Sequence, residues 1–201
     1  MPAYAILPAA GRSLRMGQSK LLLPWGEATI IETVLAAWQS SRVDRIYVVT
    51  HPDDAELAAI CRRAGAIVAA ADVPPPDMKA SIQLALETVR RKEAPTERDA
   101  WLVAPADIPQ LSPRLVDRLL DAHDPLDPQI LVPVCGSQRG HPVLFPWRLA
   151  EAVARLAPNQ GLNALVDRNP IRQVECPPEE ATWADIDTPE EYRHLRERHS
   201  R

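Results

Sequence analysis

The chain has 201 residues, which is enough for one α/β domain with a substantial core and short for two conventional domains. Its hydrophobic fraction of 46% and charged fraction of 25% exclude a disordered or fibrous chain. The net charge is −4, and no stretch combines clustered Lys and Arg with aromatic residues, so nucleic acid is excluded as the expected partner. We therefore expect a single domain over residues 1–201 that binds small molecules.

The cysteines and the apolar segments predict where the protein works. Cys61, Cys135 and Cys176 are far apart and form no C-x-x-C pair, which argues against a disulfide framework or a thiolate metal site. Pro2 and Pro8 interrupt the apolar N-terminal segment, and no Lys or Arg precedes it, so a cleaved signal peptide is not expected. No apolar run approaches the length of a membrane span. These features predict a cytoplasmic protein without a membrane partner.

The first half of the chain predicts alternating strands and helices. A short apolar strand at residues 3–7 precedes a loop from Pro8 to Lys20 that has no apolar periodicity. Thr29 and Glu32 have the spacing of a capping box, which predicts a helix over residues 30–39. The chain then continues with a strand at residues 44–50, a helix at 53–64 that Gly65 ends, and a strand at 66–71.

The second half continues the alternation. Three consecutive prolines at residues 74–76 form a stiff loop, and Ser112 followed by Pro113 has the pattern of an N-cap with proline at the first helical position. The predicted helices lie at residues 81–91, 113–122, 148–156 and 160–166, with a last helix opened by a capping box at 188–191. The predicted strands lie at residues 100–104, 130–134, 142–145 and 171–175. This order predicts an α/β fold with a mostly parallel, doubly wound sheet.

The loop after the first strand is a candidate phosphate-binding loop, because ligands of doubly wound sheets bind at the carboxyl ends of the strands. Small residues let backbone N–H groups approach phosphate oxygens, the planar guanidinium of Arg15 can clamp them, and Lys20 supplies a point charge. The loop has neither the G-x-G-x-x-G fingerprint nor the Walker pattern. An ordinary flexible loop has a similar composition, so both interpretations stay open. The candidate nucleotide-binding residues are Pro8, Ala9, Ala10, Gly11, Arg12, Ser13, Arg15 and Lys20.

Two aspartates are candidate ligands for Mg²⁺, which takes one or two carboxylates together with phosphate oxygens and waters. Asp107 follows a hydrophobic strand in a turn that Pro105 and Pro109 stiffen, although an aspartate there can also simply cap the turn. Asp187 lies just before the last predicted helix and can reach the same ion, although Asp and Thr before Pro are also ordinary residues at a helix start.

Ser81 and His141 complete the candidate site. Ser81 opens a helix where its hydroxyl can meet a ribose or a base, and the alternative is a routine helix start. His141, in a polar turn before an apolar strand, can contact the acceptor or cap that turn. The other four histidines have no metal-ligand spacing and are expected at the surface, whereas Trp25, Trp38 and Trp147 are expected to pack in the core.

Four segments, taken in this order, resemble the MobA-like NTP transferase family. The first is long and specific, and the others support it chiefly by their order and spacing over nearly the whole chain. They are residues 7–24 (LPAAGRSLRMGQSKLLLP), 105–109 (PADIP), 140–143 (GHPV) and 185–190 (DIDTPE).

The resemblance implies a Rossmann-like fold of the nucleotide-diphospho-sugar transferase type. Arg15 and Lys20 match the family's phosphate-binding positions, and Asp107 and Asp187 match its Mg²⁺-binding carboxylates. Family members that transfer guanylyl groups to molybdopterin tend to read Ala-Gly-Gly in the first loop, whereas those that transfer cytidylyl groups tend to read Ala-Ala-Gly, as at residues 9–11. The chain therefore looks most like the molybdopterin cytidylyltransferase branch, with CTP as the preferred donor.

The resulting hypothesis is a Mg²⁺-dependent nucleotidyltransferase. A phosphate oxygen of the acceptor attacks the α-phosphorus of the NTP in line and expels pyrophosphate, while Arg15, Lys20 and Asp107 act as the catalytic residues. The expected partners are the NTP and a phosphorylated acceptor such as molybdopterin, with handover of the product to a molybdoenzyme or its chaperone. The alternatives are a sugar- or polyol-phosphate nucleotidyltransferase and a catalytically silent nucleotide- or cofactor-binding module.

Overall fold

The computed structural model describes residues 1–11, 19–181 and 184–199. The strands, in chain order, are β1 Ala3–Ala9, β2 Pro24–Trp25, β3 Ala28–Thr29, β4 Arg45–Thr50, β5 Ile67–Val68, β6 Ala100–Val103, β7 Ile130–Cys135, β8 Gln138–Arg139, β9 Val143–Pro146 and β10 Ile171–Glu175. The α-helices are α1 Ile30–Gln39, α2 Ala55–Arg63, α3 Met78–Glu93, α4 Pro113–Ala122, α5 Ala150–Ala154, α6 Asn163–Arg168 and α7 Pro189–His199.

One mixed sheet organises the fold. Its strands follow the order β10-β7-β9-β6-β1-β4-β5, and β8 pairs with the end of β7. The pairs β10/β7, β6/β1, β1/β4 and β4/β5 are parallel, whereas β9 runs antiparallel between β6 and β7. The predicted mostly parallel, doubly wound α/β sheet is therefore confirmed.

The core lies on both faces of this sheet. Alternate residues of β1 point to opposite faces, so Ala5 and Leu7 join one buried cluster while Tyr4 and Ile6 join the other. The first cluster packs under α1, α2, α4 and α7, and the second packs under α3, α5 and α6. Burial on both faces explains why the central strands read as continuous apolar runs.

The capping signals in the sequence predict the helix starts well. The Thr29 hydroxyl accepts from the Glu32 amide at 3.4 Å, and the Glu32 carboxylate accepts from the Thr29 amide at 2.9 Å, so α1 begins as expected. The predicted helix at residues 148–156 is shorter, because a 3₁₀ turn at Trp147–Leu149 precedes α5. No helix of the described ranges has the length and apolar character that crossing a bilayer requires.

The sequence reading missed a small hairpin. Strands β2 and β3 pair antiparallel, and Gly26 turns between them with a φ of 62°, a conformation that suits glycine. Each strand has only two residues, which is too short for a pattern of period two to show.

The expected positions of the aromatic and histidine residues are only partly correct. Trp25, Trp38 and Trp147 are buried as expected. The expectation that the other histidines lie at the surface is wrong for His51 and His123, which are each 8% exposed. His51 directly follows the buried strand β4, and His123 directly follows α4, which has buried residues on one face.

The burial of His123 predicts a loss of stability in acid. Burial lowers the pKa of His123 below its ordinary value of 6.5, so the folded chain takes up this proton only at lower pH than the unfolded chain. The free energy of unfolding should therefore fall as pH drops from about 6.5 through the folded-state pKa. Chemical denaturation between pH 7.5 and 5 should show a shallower fall for His123→Gln than for wild type, whereas His194→Gln, at an exposed site on α7, should follow wild type. Parallel curves for all three proteins would contradict the assignment.

Candidate nucleotide-binding site

A cavity of about 550 Å³ opens at the carboxyl ends of β1, β4, β5 and β6. It lies beside β1, whose two neighbours in the sheet are β6 on one side and β4 on the other. In doubly wound sheets, a crevice opens at the carboxyl ends of two adjacent strands whose chain connections run in opposite directions. Its lining comprises Pro8, Ala9, Ala10, Gly11, Lys20, Leu21, His51, Pro74, Pro75, Pro76, Asp77, Met78, Ser81, Pro105, Ala106, Asp107, Asp185 and Asp187.

Three of the predicted site residues meet at one end of this cavity. Lys20 forms ion pairs with both Asp107 and Asp187, and its Nζ lies 3.0 Å from Asp187 Oδ1. The contact between Lys20 and Asp187 joins residues that are 167 positions apart in the chain. The fold thus brings together side chains that the sequence analysis selected from three separate motifs.

The start of α7 holds Asp187 in place. The Glu191 carboxylate accepts from the backbone amides of Asp187 at 2.9 Å and Thr188 at 2.8 Å, and the Thr188 hydroxyl accepts from the Glu191 amide at 3.2 Å. The helix is anchored from the other side, since the Tyr192 hydroxyl donates to the Pro24 carbonyl of the β2–β3 hairpin at 2.6 Å. The hairpin that the sequence reading missed therefore helps to place Asp187 beside Lys20.

Burial and charge act against each other in this cluster. Burial raises the pKa of Asp107, and the hydrogen bond and charge of Lys20 oppose that shift. Burial alone would lower the pKa of Lys20, but its hydrogen bonds to Asp107 and Asp187 raise it. The result is a tightly held group of two carboxylates and one ammonium.

The same cluster suits a divalent cation. Asp107 is 7% exposed, and its Oδ1 atom is buried without a hydrogen-bond partner in the described chain. A buried oxygen of this kind needs a positively charged or donating neighbour. No set of three or more His, Cys, Asp or Glu residues within the described ranges is arranged to hold a metal ion. Two carboxylates nevertheless suffice for Mg²⁺ where phosphate oxygens and waters complete the coordination.

The first part of the predicted phosphate loop lines the cavity. Pro8, Ala9, Ala10 and Gly11 run along it, and a Cβ atom built on Gly11 meets no described atom within 4 Å. This open space lets a ligand approach the backbone closely. The predicted residues Arg12, Ser13 and Arg15 lie outside the described residues.

Gly11→Ala tests whether this open space serves a ligand. The methyl group should not disturb folding, since it meets no described neighbour, but it should reduce NTP affinity about tenfold by holding the phosphates away from the backbone. Thermal unfolding and equilibrium binding of an NTP measure the two effects. Gly161→Ala is a matched control, because a Cβ there also meets no described atom and Gly161 does not line the cavity. Equal NTP affinity in Gly11→Ala and wild type would contradict this role for Gly11.

The cavity lining also contains Ser81 together with residues that the sequence analysis did not select. Ser81 is 3% exposed, lines the cavity, and donates from its hydroxyl to the Asp77 carbonyl at 3.2 Å. His51 and Asp185 line the same cavity. The sequence gives one indication for each of them. His51 directly follows β4, and ligands bind at the carboxyl ends of strands, whereas Asp185 lies two residues before Asp187.

His141 lies near the cluster but outside the cavity lining. It precedes β9 through a cis peptide bond to Pro142, and its Nδ1 atom is buried without a partner among the residues described. Burial lowers the pKa of His141, while a hydrogen bond with the Val103 backbone and the charges of Asp185 and Asp107 oppose the shift. The hydrogen bond to Val103 places the imidazole beside β6. His141 precedes β9, which pairs with β6 on the edge opposite β1.

Comparisons with known proteins agree with this geometry. A probable molybdenum cofactor guanylyltransferase of Mycobacterium avium (strain 104) is 28% identical over 199 residues, covering 97% of this chain and 95% of that protein. The crystal structure of Rv0371c from Mycobacterium tuberculosis H37Rv superposes with a TM-score of 0.78 at 26% identity and covers 98% of both chains. A structure of Rv0371c in complex with manganese gives a TM-score of 0.76 at 24% identity, covering 98% of this chain and 99% of that one.

A more distant structure shares the fold. CMP:2-keto-3-deoxy-manno-octonic acid synthetase complexed with CTP has a TM-score of 0.77 at 16% identity, with coverage of 100% of this chain and 99% of that one. Its low identity indicates likeness of fold alone, and that fold is the one of nucleotide-diphospho-sugar transferases.

The family predicted from the four sequence segments is confirmed. Its conserved domain matches residues 5–174, a range that includes the first loop, Asp107 and His141, whereas Asp187 lies beyond it. The match covers well over half of the chain, which therefore belongs to the MobA-like NTP transferase family.

Proposed function

We propose that residues 1–201 form one nucleotidyltransferase domain that uses Mg²⁺ to transfer a nucleoside monophosphate, CMP from CTP, to a phosphorylated acceptor, with release of pyrophosphate. The acceptor we propose is molybdopterin, and the site of action is the cytoplasm. The observation that carries the proposal is the convergence of Lys20, Asp107 and Asp187 at the end of a cavity that the first loop lines.

The order of the strands supports a division of the site into two halves. On one side of Asp107 lie the ends of β1, β4 and β5, with Gly11, His51 and Ser81 along the cavity. This half is proposed to hold the NTP, with its phosphates at the first loop and Lys20. On the other side, toward β9, β7 and β10, lies His141, which is proposed to contact the acceptor. The two substrates would then meet at Asp107.

The roles of the chain's own residues follow from their charges. Lys20 neutralises phosphate oxygens and the leaving pyrophosphate, with Arg15 proposed to do the same, and Asp107 and Asp187 are proposed to hold Mg²⁺. When bound, Mg²⁺ supplies a positive charge that offsets the negative charge on the α-phosphate. The attacking phosphate oxygen of the acceptor is already ionised at neutral pH, so the chain needs only to position it in line and exclude water. The manganese bound in the Rv0371c structure supports a divalent cation in this fold.

Two observations bear on the identity of the donor. The Ala9-Ala10-Gly11 sequence supports CTP, and a structure of the same fold binds CTP. The name of the Mycobacterium avium relative favours GTP as the second candidate. Handover of the product to a molybdoenzyme or its chaperone is part of the same proposal.

His141 gives a separate test of the acceptor half. His141→Ala should raise KM for the acceptor about tenfold and leave NTP affinity unchanged, because the imidazole lies outside the cavity lining. Steady-state kinetics with the acceptor varied at saturating NTP measure the first effect, and equilibrium binding measures the second. A change in NTP affinity with an unchanged acceptor KM would show that His141 belongs to the nucleotide half.

The decisive experiment is pyrophosphate release from each of the four NTPs with Mg²⁺, with and without molybdopterin. Release that requires both CTP and molybdopterin is the expected result, and release with GTP would assign the second donor. Release with a sugar or polyol phosphate in place of molybdopterin would reassign the acceptor. Tight NTP binding without release from any combination would overturn the enzymatic proposal in favour of a silent binding module.

A further inference from the structure

Two cysteines that are far apart in the chain lie side by side at the carboxyl ends of β7 and β10. Val134 and Glu175 are partners in the parallel register, and Cys135 and Cys176 are the residues that directly follow them. The Cys176 amide still donates to the Val134 carbonyl, at 2.9 Å. Neighbouring strands lie about 4.8 Å apart, and the Cα atoms that a disulfide joins usually lie about 4.4–6.8 Å apart. The backbone therefore holds the two cysteines at a spacing that a disulfide can bridge.

The side chains support the same conclusion. Successive side chains of a strand alternate between faces, so two residues that follow a register pair point to the same face of the sheet. The Cys176 thiol donates to the Val134 carbonyl at 3.4 Å, so its sulfur reaches across to the residue that precedes Cys135. Burial and the charge of Cys135 both raise the pKa of Cys176. Both cysteines are free thiols in the structure.

The two thiols differ in their access to solvent. Cys135 is partly exposed and precedes an exposed turn at Gly136 and Ser137, whereas Cys176 is 6% exposed. A small oxidant in solution therefore meets Cys135 first and reaches Cys176 through its neighbour. Cysteines that respond to oxidants are often accessible to solvent and adjacent to a second thiol that resolves the first oxidation product. The pair at the ends of β7 and β10 has this arrangement.

We propose that Cys135 and Cys176 form a reversible intramolecular disulfide when the folded protein meets a peroxide. The Cys135 thiolate attacks one peroxide oxygen and breaks the O–O bond, which leaves a sulfenic acid on Cys135 and releases hydroxide. The Cys176 thiol then attacks the sulfenic sulfur, so the S–S bond forms, the S–O bond breaks, and the thiol proton leaves with the hydroxyl group as water. The two thiols give up two electrons, and the peroxide takes both. Exchange with a dithiol reductant restores both cysteines.

The position of the pair gives this bond a structural consequence. Cys176 begins the connection from β10 to α7, which carries Asp187. Within this connection, Glu180 pairs with Arg118 of α4 at 3.3 Å. The disulfide adds a covalent anchor at the start of the same connection and joins two strands that are already paired. Oxidation at this site therefore requires no rearrangement of the sheet.

Peptide mapping of the full chain tests the proposal. The folded protein is treated with hydrogen peroxide, denatured with an alkylating agent that blocks the remaining thiols, and digested with trypsin. Because trypsin cuts after Lys and Arg, the three cysteines fall into separate peptides, which are residues 46–62, 119–139 and 173–193. The expected product from monomeric protein is a linked pair of the second and third peptides, which dithiothreitol separates.

The peptide that contains Cys61 is the internal control. Cys61 is fully buried, and burial raises its pKa to about 12, so it should be recovered in the alkylated form. Recovery of Cys135 and Cys176 as separate sulfinic acids, without the linked pair, would overturn the proposal. A link found only between two chains would also overturn it.

Two serine variants test the order of the steps. In Cys176→Ser, Cys135 should accumulate as sulfenic and then sulfinic acid, because no second thiol resolves it. In Cys135→Ser, peroxide should consume the Cys176 thiol about tenfold more slowly than in wild type, because its access depends on Cys135. Ser137→Ala changes the exposed turn, keeps both thiols and should form the wild-type amount of linked peptide. Thermal unfolding confirms that the variants fold. Loss of the Cys176 thiol at the wild-type rate in folded Cys135→Ser would contradict entry of the peroxide at Cys135.

Discussion

Asp107→Asn is expected to lower kcat about 10³-fold while leaving the protein folded. The amide keeps the shape of the side chain but removes the charge that pairs with Lys20 and that is proposed to hold Mg²⁺. Stability should stay the same or rise slightly, because burial raises the pKa of Asp107 and so the ionised carboxylate is the form that burial disfavours. A loss of activity without a loss of stability is the pattern expected of a functional rather than a structural carboxylate.

Three measurements check this result. Pyrophosphate release gives kcat, thermal unfolding gives stability, and Mn²⁺ binding followed by electron paramagnetic resonance gives metal affinity. Asp121→Asn is the control, since that carboxylate pairs with Arg42 at the surface and is 69% exposed. A kcat in Asp107→Asn within about tenfold of wild type would refute the catalytic assignment of this residue.

Lys20→Met is the second change with a large expected effect, and it should differ from Asp107→Asn in stability. Without the ammonium, the carboxylates of Asp107 and Asp187 both lose the cation that they share. We expect a loss of about 1–3 kcal/mol in the free energy of unfolding, because removing one partner leaves a buried charge uncompensated. We also expect kcat/KM for the NTP to fall about 10²-fold or more as the phosphates lose a positive partner.

Divalent cations should partly rescue the stability of Lys20→Met. Mn²⁺ or Mg²⁺ can compensate the two carboxylates that lose their ammonium partner, so adding either ion should raise the unfolding temperature of the variant more than that of wild type. Lys92→Met, at an exposed position on α3, serves as the control and should respond as wild type does. An equal response in all three proteins would show that Asp107 and Asp187 do not hold the ion together.

The sequence predicted the fold and the charged residues of this site better than it predicted the other residues that line the cavity. Apolar patterning located every strand of the main sheet except the two-residue β8, because burial on both faces makes the longer strands continuously apolar. Capping residues such as Thr29 and Ser112 marked the helix starts. The three charged residues Lys20, Asp107 and Asp187 were selected by residue type and position in the chain, and their motifs also follow the family pattern. In the structure Lys20 contacts both carboxylates, while the roles of the three residues stay predictions.

The other lining residues were harder to predict, because only the folded chain shows that they lie beside the cavity. His51 has no neighbouring motif, and only the pairing of Ala9 with Thr50 shows that the end of β4 lies beside the first loop. The three prolines were read as a stiff connection, since nothing in the local sequence indicates that they face a cavity. The sequence analysis selected Asp187 alone from its acidic segment, and only the structure shows that Asp185 lines the cavity as well.

The bond between Tyr192 and the Pro24 carbonyl also couples two short segments that meet at the charged cluster. Pro24 lies shortly after Lys20 in the chain and Tyr192 lies shortly after Asp187, so the bond joins the segments that carry this ion pair. Local opening of α7 would separate Asp187 from Lys20 while β1 stays paired with β4 and β6. The second carboxylate can therefore leave the cluster without unfolding of the main sheet.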